Sequence, residues 1–150
     1  MEEIKCLGVL WMSNWFEDVK DFHRAFGQRI GDKPELAQDF TERNLRCSLM
    51  DEEFNEYIEA ENKHDLIKVA DALADIIYIA LGTAVSYGIP LDKVFEEVHR
   101  SNMAKLVDGK VLRREDGKIQ KPKGWTPPDI EYVIKKTHEE NTLLNQQIGL

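Results

Sequence analysis

Val69-Ala70-Asp71-Ala72-Leu73-Ala74-Asp75-Ile76-Ile77 is apolar apart from two aspartates four residues apart. It belongs to a run from Leu66 to Tyr87 whose composition predicts a helix, closed by Gly88 just beyond its last turn. Burying a bare carboxylate in such a helix costs several kcal/mol unless it is paired. Both aspartates lie too far inside the helix to serve as N-caps, and Lys68 is the only nearby base. Something must compensate them.

Working outward, Asp51-Glu52-Glu53-Phe54-Asn55-Glu56 lies on a preceding helix expected from about Glu35 to Asn62, with Leu36, Phe40, Leu45, Leu49, Phe54 and Ile58 on its apolar side. Glu53 and Glu56 are three apart and Glu52 and Glu56 four apart, so three carboxylates crowd one stripe. For Asp51, Glu59 and Glu61 a solvated helix face is the simpler reading. The polar segment Asn62 to Asp65 reads as a short link, and two antiparallel helices so joined bring the acid clusters opposite each other. Oxygen-only ligands select hard cations such as Mg²⁺ or Mn²⁺. Magnesium keeps waters and shares its shell with phosphate oxygens, so the expected substrate is a phosphate ester or anhydride.

Ser13 is placed to cap a first helix whose apolar positions are Trp15, Phe16, Val19, Phe22 and Phe26, with Gly27 as its stop. Gly31 and Pro34 mark a loop. A fourth helix opens at Pro90 and runs to about Lys105, and a last, short one runs from Pro128 or Asp129 to about His138. Between them, Asp108-Gly109 and Asp116-Gly117 flank Val111-Leu112 as turn or hairpin signals, while Pro122, Gly124 and Pro127 keep the chain irregular. Other strand signals are confined to the first ten residues. The expected fold is all-α, a four-helix bundle with a basic irregular C-terminal tail and a short final helix, in a single domain over residues 1–150 with its core at about 13–105 and its tail at 106–150.

The charge agrees with this division. The 150 residues hold 20 Lys and Arg against 28 Asp and Glu, a net charge of −8. Arg100 to Trp125 carries eight basic and three acidic residues, a local +5, which leaves −13 for the rest. From Asp51 to Asp75 nine acids face only Lys63 and Lys68. An acidic cluster in one place and a basic segment in another suits neither a nucleic-acid binder nor a membrane-surface helix, but it suits metal cations beside a polyanionic small molecule. The longest uncharged apolar run, Ile76 to Val85, is about half the roughly 20 residues that span a bilayer. Cys6 and Cys47 form no disulfide framework, and the opening Met-Glu-Glu-Ile-Lys lacks a signal-peptide layout, so a cytoplasmic protein with no nucleic-acid or membrane partner is expected.

Four blocks in order carry a family resemblance: Asp21-Phe22-His23-Arg24-Ala25-Phe26-Gly27, Ala74-Asp75-Ile76-Ile77-Tyr78, Glu97-Val98-His99-Arg100-Ser101-Asn102-Met103-Ala104-Lys105, and Asp116-Gly117-Lys118 with Lys121-Pro122-Lys123-Gly124-Trp125. With Glu-Glu-x-x-Glu at 52–56, they resemble the all-α nucleoside triphosphate pyrophosphohydrolases, the MazG-like group that includes phosphoribosyl-ATP pyrophosphohydrolase-like proteins and dimeric dUTPases. The likeness covers about Asp21 to Ile134 and is nearest to bacterial and phage members of one subgroup.

The resemblance implies a role for each matching position. Glu53, Glu56 and Asp75 match metal ligands, and Glu52 matches a glutamate that binds a further metal or helps activate water, with two or more Mg²⁺ or Mn²⁺ ions per site. Asn102 and Lys105 match positions near the phosphates, and Lys118 and Lys121 match basic residues that close over the triphosphate. The implied reaction is hydrolysis of the α/β phosphate bond of a (deoxy)nucleoside triphosphate to NMP and pyrophosphate, with Glu52, Glu53 and Lys105 as the catalytic set. This sequence departs from the family at Ala72, where many members have glutamate. Asp71 lies on the other side of Asp75 around the helix, about 40° away against about 60° for position 72, and substitution by Asp71 is the favoured reading.

Other positions carry alternatives. Arg46, on the face of Glu53, either reaches phosphate or pairs with Glu42. Trp15 and His23 either bind the base or pack in the core. The base and sugar stay open among dUTP, a purine dNTP and phosphoribosyl-ATP. A homodimer or homotetramer is expected. Two competing readings are a non-catalytic nucleotide-binding or oligomerisation module, suggested by Ala72, and a di-iron carboxylate bundle, suggested by Glu61-x-x-His64 and Glu96-x-x-His99.

Overall fold

A computed structural model of the protein describes residues 15–149. The chain is helical over 15–25 (α1), Phe40–Asn62 (α2), Leu66–Tyr87 (α3), Leu91–Met103 (α4) and Ile130–Ile148 (α5), with two-residue strands Leu106–Val107 (β1) and Lys110–Val111 (β2). It is all-α, as the helical periodicities predict. Ser13 and the strand signals of the first ten residues lie outside the described residues. The chain divides into two compact units between Ile89 and Pro90. Helix α4 falls in the second unit, where it is tied to the segment that follows it.

In the first unit, α2 starts at Phe40 and not at Glu35, because Asp39 caps it by accepting from Thr41 N at 2.8 Å. Residues 29–35 instead serve the end of α3, whose last carbonyls lack helical partners. Gly31 N donates to Val85 O at 2.9 Å, Arg29 Nε to Ser86 O at 2.9 Å, and Glu35 N to Tyr87 O at 3.0 Å. The link to α3 is as short as expected, with Asp65 accepting from Lys68 N at 3.1 Å as the next N-cap. Contacts from α2 to α3 descend along one helix as they climb the other: Glu42 meets Ser86, Arg46 approaches Gly82, and Glu53 feels Asp75. The pair is an antiparallel hairpin. By length and composition α3 would also suffice to cross a membrane, with a mean hydropathy of 1.6 over its best window, although its longest uncharged run is short. In this unit it packs along α2 and beside α1, where Phe22 meets Tyr78 edge-on at 5.7 Å.

In the second unit, α4 packs against α5. The tail is more regular than expected. β1 and β2 pair antiparallel through Asp108 and Gly109, both left-handed with φ of 49° and 70°, the conformation a tight two-residue hairpin requires. A second turn closes with the bridge between Arg113 and Ile119. The last helix runs ten residues beyond His138, to Ile148, where apolar periodicity fades but helix formers and pairs such as Lys136 with Glu140 at 3.9 Å continue.

Candidate functional site

The acidic positions of the hairpin come together as the antiparallel register requires. Partial burial, followed by the charges of Asp75, Glu56, Glu52 and Asp71, pushes the Glu53 carboxyl above its ordinary value. Four further carboxylates from two helices thus act on one. As the side chains stand among the described residues, no three or more Asp, Glu, His or Cys converge closely enough to hold a metal ion. The donors still fit a hard divalent cation in kind, being oxygen only, crowded and like-charged. His64 sits in the link with φ of 53°, off the end of α2, so Glu61 and His64 share no helix face.

Asp71 and Glu56 line one polar recess of about 300 Å³, with Glu59, Ala60, Lys63 and Lys68. Ala72, about 100° round the helix from Asp71, is 3% exposed. Asp71 is therefore on the open side of α3, whereas position 72 is packed inside the unit. Lys63 pairs with Glu59 at the rim.

Beside α1 an apolar recess of about 250 Å³ is lined by Trp15, Asp18, Val19, Ala74, Ile77, Tyr78 and Leu81. Ala74 and Tyr78 flank Asp75 on α3, so this recess adjoins the acidic face. Its walls were legible only as amphipathic spacing, three and one apart on both helices, which core packing produces equally well.

His23 and Arg46 lie elsewhere, in an internal network. His23 is 1% exposed, its Nδ1 lies 2.7 Å from Arg29 O, and its Nε2 faces Gly82. Arg46, 5% exposed, donates to Glu42 at 3.0 Å and to Gln28 at 3.2 Å, while Ser86 Oγ donates to the same Glu42 oxygen at 2.6 Å. Of the two alternatives for Arg46, the pair with Glu42 is the one formed. Burial pushes the Glu42 carboxyl up, but the Ser86 hydrogen bond and Arg46 outweigh it and hold the pKa below its ordinary value.

The second unit carries the basic positions. Lys105 Nζ donates to Asn102 Oδ1 at 2.7 Å and lies 5.4 Å from the Trp125 ring centroid. Lys121 Nζ lies 4.5 Å from the same centroid. Lys118 is exposed in the second turn, and its side chain has no ion-pair partner among the described residues. The sequence singles out these lysines, and Trp125 as an anchor of the tail, but not that its ring brings two of them together.

The phosphoribosyl-ATP pyrophosphohydrolase family matches residues 19–102 of the chain, which takes in both acidic clusters and Asn102 and stops before Lys105, Lys118 and Lys121. An uncharacterized protein of Acanthamoeba polyphaga mimivirus is 31% identical over 86 residues, covering 51% of this chain and 32% of that protein. The chain thus spans about a third of the length of that relative.

Proposed function

Because the chain belongs to the phosphoribosyl-ATP pyrophosphohydrolase family, we propose that it hydrolyses the α/β phosphate bond of a (deoxy)nucleoside triphosphate, releasing a nucleoside monophosphate and pyrophosphate. The observation that carries this reading is the register of the α2–α3 hairpin, which sets Glu52, Glu53 and Glu56 on one helix against Asp71 and Asp75 on the other. So many carboxylates without enough cations of their own call for divalent counter-charge.

Glu53, Glu56 and Asp75 would hold Mg²⁺ or Mn²⁺, two or more ions per site, with Asp71 joining Glu56 in place of a glutamate at position 72. Such ions supply Lewis-acid stabilisation of phosphoryl charge and a more acidic water. Glu52 or Glu53 orients the attacking water and accepts its proton as the anhydride bond breaks. Within the second unit, Lys105, with Asn102 beside it, and Lys118 and Lys121 are the groups proposed to bind phosphate charge. The recess headed by Trp15 receives the base, since an indole wall stacks on any nucleobase. His23 and Arg46 support the hairpin from within.

The exposed apolar residues Leu45, Phe54 and Ile58 of α2 and Leu73 of α3 support the reading of a homodimer or homotetramer. Light scattering on the purified protein checks the oligomer, and a strict monomer would contradict it.

The decisive experiment is pyrophosphate release from the common NTPs and dNTPs and from phosphoribosyl-ATP, with Mg²⁺ or Mn²⁺ and with EDTA. Metal-dependent release from at least one substrate is expected. Tight nucleotide binding without release would instead favour the non-catalytic nucleotide-binding reading, which buried Ala72 supports by denying the site a glutamate at that position.

A further inference from the structure

We propose that Trp125 is a positioning residue whose ring gathers Lys105 and Lys121 into one preformed binding site for an oligophosphate chain. The ring is fixed from both sides of a buried residue. Its Nε1 donates to Ser101 O at 2.8 Å, and Ser101 Oγ, on a residue 1% exposed, donates to Thr126 O at 3.1 Å. The strap after Lys121 is therefore pinned to the end of α4, and Trp125 N closes a turn on Pro122 O at 3.1 Å.

The two ammonium groups reach this ring from different parts of the chain, Lys105 from the end of α4 and Lys121 from the strap. An aromatic face attracts a cation, and the attraction grows where water is excluded. Two like charges on one ring nevertheless repel. On the helices of the unit the lysines are neutralised: Lys93 pairs with Glu96, Lys135 with Glu131 and Lys136 with Glu140, whereas, among the described residues, the lysines of the segment between α4 and α5 are not, and of these Lys105 and Lys121 share one ring. Lys105 and Lys121 have no carboxylate partner among the described residues. Lying 5.4 and 4.5 Å from one ring centroid, the two ammonium groups are no more than about 10 Å apart, a span assigned to one triphosphate chain supplying the missing counter-charge. Asn102 holds Lys105 from the other side by accepting from its Nζ, which leaves the ammonium two further protons to donate.

The inference rests on the proposed nucleotide chemistry for its natural ligand, but its test does not require turnover. Metal-free tripolyphosphate is titrated into the full-length protein at two salt concentrations. Trp125→Leu is expected to weaken binding about tenfold, close to the loss from Lys121→Met, and the double variant to lose little more than either alone. Trp125→Phe, which keeps an aromatic face, is expected to retain most of the affinity. Wild-type binding by Trp125→Leu, or fully additive losses, would overturn the proposal. Should Trp125→Leu fail to fold by circular dichroism, Lys105→Met and Lys121→Met carry the test, because two lysines serving one phosphate chain must lose less together than the sum of their separate losses. A protein that releases no pyrophosphate yet shows this coupling loses the proposed reaction and keeps the site. One that turns over nucleotide with additive losses does the reverse.

Discussion

A Cβ placed on Gly82 would lie 3.1 Å from Nε2 of His23, so the backbone of α3 and the imidazole of α1 meet with no side chain between them. The imidazole cannot retreat, because it is buried and its Nδ1 is held at Arg29 O. The Arg46 guanidinium passes the same point, 3.4 Å from that Cβ. This contact and the bond from Ser86 to Glu42 fix how α2 lies along α3. The same register, continued toward the link, opposes Glu53 and Asp75.

Gly82→Ala therefore has two opposed effects. Alanine gains about 1 kcal/mol of helix propensity, but overpacking a closed core costs roughly 1–3 kcal/mol. Since neither neighbour can give, a net loss of about 1 kcal/mol is expected, seen as a lower melting temperature by circular dichroism. A higher melting temperature would show that the network relaxes.

Glu53→Gln is expected to lower pyrophosphate release by on the order of 100-fold or more while leaving helicity intact. Its effect on metal-free stability has the opposite sign. A carboxyl whose folded pKa is raised destabilises the fold as pH rises through that range, because the folded state holds the proton more tightly than the unfolded chain. Without divalent ions the variant should thus melt at or above the wild-type temperature at pH 7. A clearly lower value would mean that Glu53 supports the fold.

Glu97 shows the reverse linkage. It accepts from Arg100 at 2.6 and 2.7 Å and from Asp129 N at 2.9 Å, and these bonds lower its pKa to about 2. The stabilisation is complete above the unfolded value of 4.5 and is lost as pH falls toward about 2. Melting followed across that window should show wild type losing stability that Glu97→Gln already lacks, so that the two curves converge at the acid end. Parallel curves would remove Glu97 from the acid response of the second unit.

Trp15→Ala is expected to raise the KM or Kd for nucleotide by about 5- to 100-fold, as the loss of one stacking partner predicts. Tripolyphosphate affinity should stay unchanged, since it has no base to stack. Equal losses for both ligands would point to a structural effect on α1.

Much of the fold was legible because its signals are local. Asp65, Gly88 and the Asp108-Gly109 turn act through their own neighbours, and the spacing of acids along α2 and α3 marks the faces before any packing is known. The misjudged boundaries have local causes too. Glu35 looks like a helix start until its N–H is seen to serve the end of α3, and the helix past His138 continues on propensity without an apolar stripe. His23 and Arg46 were ambiguous because an imidazole or guanidinium looks the same in a chain whether it meets a substrate or a carbonyl.

The sequence by itself determined the all-α class, the two acidic stretches and the basic segment, since periodicity, capping and charge are properties of a few consecutive residues. Only the tertiary structure decided which groups meet. Helix register turned Arg46 inward to Gln28 and Gly82, left Asp71 open and Ala72 buried, and brought Lys105 and Lys121 to one indole from separate parts of the chain. Such pairings depend on how whole elements are rotated and staggered against each other, which buried contacts such as Gly82 with His23 and Ser101 with Trp125 determine.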